Sequence, residues 1–149
     1  MRVIHFLTCT LFLTLCVACG KDDTQRQIDA MLIEDYLTQR GLEAQSTASG
    51  LHYIIDDPGN GEHPDVSHKI HITYVGRLLN GFQFDASNGV VMFELAGLIK
   101  GWQEGIPLFG KGGSGTLIIP SHLGYGSTPR TGIPANSILV FDIELVDFE

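Results

Sequence analysis

Lys69-Ile70-His71-Ile72-Thr73-Tyr74-Val75-Gly76-Arg77-Leu78-Leu79 is the stretch on which the fold turns. Ile70, Ile72 and Tyr74 point one way and His71, Thr73 and Val75 the other, the period of two of a strand with one buried face. Ile138 to Phe148 repeats the pattern, with Leu139, Phe141, Ile143 and Leu145 on one face and Asp142 and Glu144 on the other. Three shorter runs, Leu51 to Ile55, Val90 to Leu95 and Thr116 to Ile119, also read as strands. The first of them ends in a dense turn signal, Asp56-Asp57-Pro58-Gly59-Asn60-Gly61. Between the later runs lies Ile99-Lys100-Gly101-Trp102-Gln103-Glu104-Gly105-Ile106, where Ile99, Trp102 and Ile106 form one stripe of a short helix. Several strands, one short helix and no βαβ alternation predict an α+β domain, an antiparallel sheet covering a helix.

Working toward the N-terminus, Glu43 to Gly50 is small and polar and reads as a linker. Before it, Thr24-Gln25-Arg26-Gln27 reads as a capping box. Ile28, Met31, Leu32 and Tyr36 follow at helical spacing, and Gly41 is the stop. A helix over residues 25–40 would be roughly 24 Å long. Its apolar stripe needs a partner, either its own domain or a second copy. Docking on its own domain is the preferred reading, and the oligomeric state stays open.

The chain opens with Met1-Arg2-Val3-Ile4-His5 and an apolar run from Phe6 to Ala18 interrupted by Thr8, Thr10 and Thr14. That run is shorter than the ~20 residues of a bilayer span and fits a secretory leader. Cys9, Cys16 and Cys19 are the 3 cysteines of the chain, all in this segment. Cys16-Val17-Ala18-Cys19 followed by Gly20-Lys21-Asp22-Asp23 resembles a bacterial lipobox, with Cys16 where Leu is usual. The expected organisation is a lipoprotein signal peptide over 1–18, a lipid-anchored linker and N-terminal helix over 19–49, and the functional domain over 50–149. Cys19 would carry the lipid, and the membrane would be a partner through it. Gly20 does not resemble the Asp that retains lipoproteins in the inner membrane. The expected location is therefore the cell envelope at the outer membrane, facing the periplasm or the surface.

Composition narrows the function. The 149 residues carry 9 Lys+Arg against 17 Asp+Glu, a net charge of −8. An acidic chain repels phosphate, so nucleic acid is excluded as the partner class. The 44% hydrophobic content supplies a core, and 18 glycines without a Gly-X-Y period fit a turn-rich β protein. Gly110-Lys111-Gly112-Gly113-Ser114-Gly115 precedes a strand rather than a helix, so it reads as a hairpin turn and not a phosphate loop. His63, His68 and His71 lack ligand spacing and no cysteine remains to join them, so no metal is expected. No cofactor motif and no Gly-x-Ser-x-Gly elbow is present, which points away from hydrolase chemistry.

What remains is an aromatic set spread over separate strands: Tyr74, Phe84, Trp102, Tyr125 and Phe141, with Phe93 nearby. Most aromatics of a small β domain are core. Here, however, Asp85 follows Phe84, Tyr125 sits between Gly124 and Gly126, and the single Trp follows Gly101 as though its face were kept open.

Ile72-Thr73-Tyr74-Val75-Gly76 with Gly81-Phe82-Gln83-Phe84-Asp85-Ala86-Ser87 resembles the signature of FKBP-type peptidyl-prolyl isomerases. So do Leu98-Ile99-Lys100-Gly101-Trp102-Gln103-Glu104-Gly105 and Ile119-Pro120-Ser121-His122-Leu123-Gly124-Tyr125-Gly126. A fourth block, Ile133-Pro134-Ala135-Asn136-Ser137-Ile138-Leu139-Val140-Phe141-Asp142-Ile143-Glu144-Leu145, completes the resemblance over about residues 50–149. The resemblance implies five or six antiparallel strands wrapped around the Trp102 helix and rotation about Xaa-Pro bonds, assisting the folding of exported proteins. It implies Trp102 as pocket floor, Tyr74, Phe84 and Phe141 as walls, and Leu98 and Ile99 as rim. Asp85, Tyr125 and the Ile99 N–H would supply polar contacts, and Ile133 would close the loop side. Val91 stands where the family usually has an aromatic, Ala86 and Gly124 replace the usual Ser and Ala, and the Ser127 to Gly132 loop is unusual. Implied partners are proline-containing polypeptides and macrolide inhibitors of the family. The alternative is a proline-peptide-binding chaperone module with little turnover.

Overall fold

The computed structural model describes residues 20–149, with side chains from Asp23 onward. The expected signal peptide over 1–18 and Cys19 lie outside the described residues. Helix α1 spans Gly20–Arg40 and is followed by β1 (Gln45–Ser46), β2 (His52–Asp57), β3 (Lys69–Leu78), β4 (Gln83–Ala86) and β5 (Val91–Glu94). Helix α2 (Lys100–Gly105), β6 (Ser114–Ile119) and β7 (Leu139–Phe148) complete the order. One sheet of 7 strands runs β1-β2-β6-β7-β3-β4, and β5 pairs with β3 further along the same edge. Every pairing is antiparallel. The α+β class, the antiparallel sheet and both helices agree with the sequence reading, while the sheet has 7 strands against the five or six expected, the pair Gln45–Ser46 at its edge being one of them.

The period of two decides what the sheet buries. Leu139, Phe141, Ile143 and Leu145 of β7 lie on the inner face with Ile70 and Ile72 of β3 and Leu117 and Ile119 of β6. Trp102 and Ile106 fill the space above them, as their helical spacing predicts. The helix comes very close to the sheet because it carries no side chain where it touches. A Cβ at Gly101 would meet Ile119 Cγ2 at 2.4 Å, and one at Gly105 would meet Leu117 Cδ2 at 2.7 Å. Gly101 therefore serves the approach of α2 to β6, and the reading that it keeps the Trp102 face open is corrected.

The outer face is covered in part by α1. Ile118 and Val140, partners across β6 and β7, meet Ile33 and Leu37 of the helix, together with Ile138. The helix thus docks on its own domain. Two details differ from expectation. The helix begins at Gly20, so Thr24 lies inside it and is not its cap. The buried stripe is Asp29, Ile33 and Leu37, whereas Met31 is 65% exposed and Ile28 and Leu32 are also exposed. A hydrophobic pattern discards a carboxylate, yet Asp29 is 1% exposed. It survives there because it is fully hydrogen-bonded, as shown below.

Candidate functional site

The site grows from three strands and the start of α2. Tyr74 comes from β3, Phe84 and Asp85 from β4, and Phe141 from β7. Leu98 and Ile99 form the extended entry into α2, and Trp102 is in its first turn. Tyr125 follows a 3-10 turn at Ser121–Leu123. These eight residues and Phe93 of β5 line one cavity of about 230 Å³.

Trp102 is walled by ring edges. Its ring lies 5.3 Å from Tyr74 at 84°, 5.2 Å from Phe141 at 85° and 6.2 Å from Phe93 at 81°. Phe84 meets Phe141 edge-on at 5.5 Å. Offset and edge-to-face contacts of this kind fix ring orientation. Room for them depends on Gly76 opposite, because a Cβ there would stand 2.7 Å from the Phe84 ring and 2.8 Å from that of Phe141. The Trp102 indole N–H is buried and meets no acceptor among the described residues.

Polar groups are few and placed. The Tyr74 hydroxyl donates to Asp85 Oδ2 at 2.8 Å, and Asp85 Oδ1 accepts the Ala86 N–H at 2.9 Å. The Asp85 carboxylate therefore accepts from two donors. Burial, and then the hydrogen bond to the Asp85 carboxylate, push the Tyr74 phenol up to about 12. Asp85 thereby occupies the Tyr74 hydroxyl, whereas the Tyr125 hydroxyl, also at the cavity, meets no partner among the described residues; the Arg130 guanidinium lies over its ring, 5.4 Å from the centroid. Among the described residues no hydrogen bond takes up the Ile99 N–H, which precedes the first turn of α2.

Two of the expected site residues are not brought to the cavity. Val91 opens β5 opposite Ile72 and packs on the core, and its short side chain is not part of the lining. Phe93, two residues along the same face, is the β5 residue that reaches Trp102. Ile133 is 6% exposed and held in a turn with Arg130, so it supports the loop from within the core. The signal for Phe93 was present in the alternation of β5, where residues 91 and 93 share a face. A larger hollow of about 740 Å³ lies on the outer face, where Arg40, Asp56, Arg77 and Asp142 alternate with uncharged residues such as Leu42, Ile54 and Val140.

Residues 60–146 match the family described as FKBP-type peptidyl-prolyl cis-trans isomerase. The chain belongs to that family. It is 49% identical over 107 residues to the isomerase FkpA of Buchnera aphidicola subsp. Schizaphis graminum, covering 69% of this chain and 42% of the relative. It is 41% identical over 117 residues to FkpA of Escherichia coli K12, covering 76% and 43%. The chain thus spans less than half the length of these curated relatives. The crystal structure of FkpA from Escherichia coli superposes with a TM-score of 0.73 at 34% identity, covering 86% of this chain and 64% of that one. A peptidyl-prolyl cis-trans isomerase from Pseudomonas syringae superposes with a TM-score of 0.75 at 28% identity, covering 85% and 95%.

Proposed function

We propose that this member of the FKBP-type isomerases catalyses rotation about Xaa-Pro bonds in exported polypeptides. The observation that carries the reading is the aromatic cavity over Trp102, with one phenol and one backbone N–H at its edge that meet no partner among the described residues. An Xaa-Pro bond is planar by resonance, and its rotation barrier is ~18–20 kcal/mol. At the twisted transition state the amide has lost resonance, its carbonyl is less polar and its nitrogen more basic. A dry cavity lined by Trp102, Phe84, Phe93 and Phe141 disfavours the planar, polar ground state more than the twisted one. Each ~1.4 kcal/mol of that difference is tenfold in rate. The Tyr125 O–H and Ile99 N–H hold the substrate carbonyl. Asp85, fixed by Tyr74 and Ala86, orients the polar edge. The chemistry asks for no nucleophile.

The test is a protease-coupled isomerisation assay on an Ala-Leu-Pro-Phe peptide with the folded full-length chain. Acceleration supports the reading, and a rate equal to the uncatalysed one overturns it. Binding of the peptide without acceleration would instead support the chaperone alternative. Macrolide inhibitors of the family are expected to compete for the same cavity and to change Trp102 fluorescence.

The anchored state belongs to the same proposal. The leader over 1–18 and Cys19 support export and lipid attachment at the outer membrane. Incorporation of labelled palmitate that is lost in Cys19→Ala is the expected result. Equal labelling of both chains, or none, would remove the anchor from the account.

A further inference from the structure

Asp29 is the buried carboxylate that neither the cavity nor docking of the helix explains. It is 1% exposed, one turn before Ile33 on α1. Burying an ionised group is costly unless it is hydrogen-bonded, and an apolar residue would dock a helix at less expense. Ile33 and Leu37 already do that docking. What the carboxylate supplies is direction. Its Oδ2 accepts the Ser121 N–H at 2.8 Å and the Ser121 hydroxyl at 2.7 Å, while Oδ1 accepts Gln25 Nε2 at 2.8 Å. Ser121 opens the 3-10 turn that leads to Tyr125. The Ser121 carbonyl in turn accepts the Gly124 N–H at 3.0 Å and the Gly126 N–H at 2.8 Å, the two residues flanking Tyr125. One serine therefore links the helix to both sides of the free phenol.

We propose that Asp29 is a positioning residue for the isomerase site: through Ser121 it holds the Gly124–Gly126 segment so that the Tyr125 hydroxyl faces the cavity. The proposal rests on the isomerase reading for its kinetic consequence and on geometry alone for its structural one. Without Asp29 the segment samples other arrangements, and substrate must select the competent one. Apparent affinity then falls by the competent fraction, while turnover at saturation is retained.

The experiment compares Asp29→Ala and Asp29→Asn with the parent in the full-length protein, by steady-state isomerisation and by amide hydrogen exchange. Asp29→Ala should raise KM about fivefold with kcat within about twofold. It should speed exchange at Gly124 and Gly126 while the amides of Leu117 and Phe141 stay protected. Asp29→Asn keeps an acceptor for Ser121 and should stay within about twofold of the parent in both parameters. In a Tyr125→Phe background, Asp29→Ala should add no further rise in KM, since both changes act through one group. Unchanged KM and unchanged glycine exchange in a folded Asp29→Ala would overturn the proposal. So would an equal loss with and without the Tyr125 hydroxyl. If Asp29→Ala does not fold, Ser121→Ala deletes only the hydroxyl bond and is read the same way, with about twofold expected in KM. If the parent shows no isomerase activity, that reading fails, and glycine exchange alone decides the coupling.

Discussion

The two faces of β7 carry opposite chemistry one residue apart. Phe141 points inward and touches the rings of Trp102, Tyr74 and Phe84. Asp142 points outward, pairs with Arg77 and accepts the Thr116 hydroxyl at 3.1 Å. Each face borders a hollow, and the outer one is about three times larger, 740 Å³ against 230 Å³. The proposed function assigns the smaller of the two to the reaction. The outer hollow mixes Arg40, Asp56, Arg77 and Asp142, whose charges water screens, with aliphatic residues such as Leu42, Ile54 and Val140. The inner one is lined mainly by aromatic rings with a few polar groups at its edge, the kind of concave apolar lining with sparse polar groups that ligand sites share.

The sharpest test sets these neighbours against each other. Phe141→Ala should cost about 3–5 kcal/mol in urea denaturation, from lost transfer energy and the cavity left behind. Asp142→Ala should cost less than about 1 kcal/mol, because its partners are half-exposed. Comparable losses would mean that the outer polar network, and not the inner ring cluster, holds β7 in place.

The outer face is not uniform, however. Where α1 covers it, Ile118 and Val140 are as dry as the inner face. Leu37→Ala should therefore cost about 2–4 kcal/mol, well above Asp142→Ala on the same face. A loss under about 1 kcal/mol would show that α1 contributes little to stability and would leave the two faces more unlike than drawn.

Catalysis separates the faces without involving stability. Tyr125→Phe removes a hydroxyl that has no partner among the described residues, so stability should stay within about 0.5 kcal/mol while kcat/KM falls about three- to tenfold. Arg77→Ala, beside the larger hollow, should leave kcat/KM within about twofold. The reverse outcome would move the active cavity to the other side of the sheet.

The sequence announced this asymmetry in some places and hid it in others. The long strands were legible because period two over Lys69–Leu78 and Leu139–Phe148 has one physical meaning. β4 was missed because Gln83–Ala86 is four residues long with one large apolar side chain, Phe84, and its strand character comes from pairing with β3. The helix was legible but its buried side was not. Asp29 and Ile28 compete for the inward position, and only the donors of Ser121, distant in sequence, tip the balance to the carboxylate. Most of the cavity could be read from motif blocks, since each block contains a lining residue: Tyr74, Phe84 and Asp85 in the first, Leu98, Ile99 and Trp102 in the second, Tyr125 in the third and Phe141 in the fourth. Val91 and Ile133 were misplaced because a linear motif reports neighbourhood, while reach and rotation decide which side chain enters the space. Phe93 shows the same limit from the other side.

The smallest effect tests whether the inner polar pair is as sheltered as its surroundings. Burial and the bond to Asp85 raise the Tyr74 phenol to about 12, against 10.0 for a free tyrosine. The unfolded chain thus gives up this proton at lower pH than the folded one. Between those two values the folded state binds more protons, so stability must fall as pH rises. The contribution is complete below pH 10 and is lost by about pH 12. Because Tyr74 is only partly buried, solvent screening keeps the effect modest. Denaturation midpoints of the parent should decline across this window more steeply than those of Tyr74→Phe, with both chains behaving alike near neutrality. Parallel curves would mean that water reaches the Tyr74–Asp85 pair as freely as it reaches Arg77 and Asp142, and the contrast between the two faces would then end at the rings.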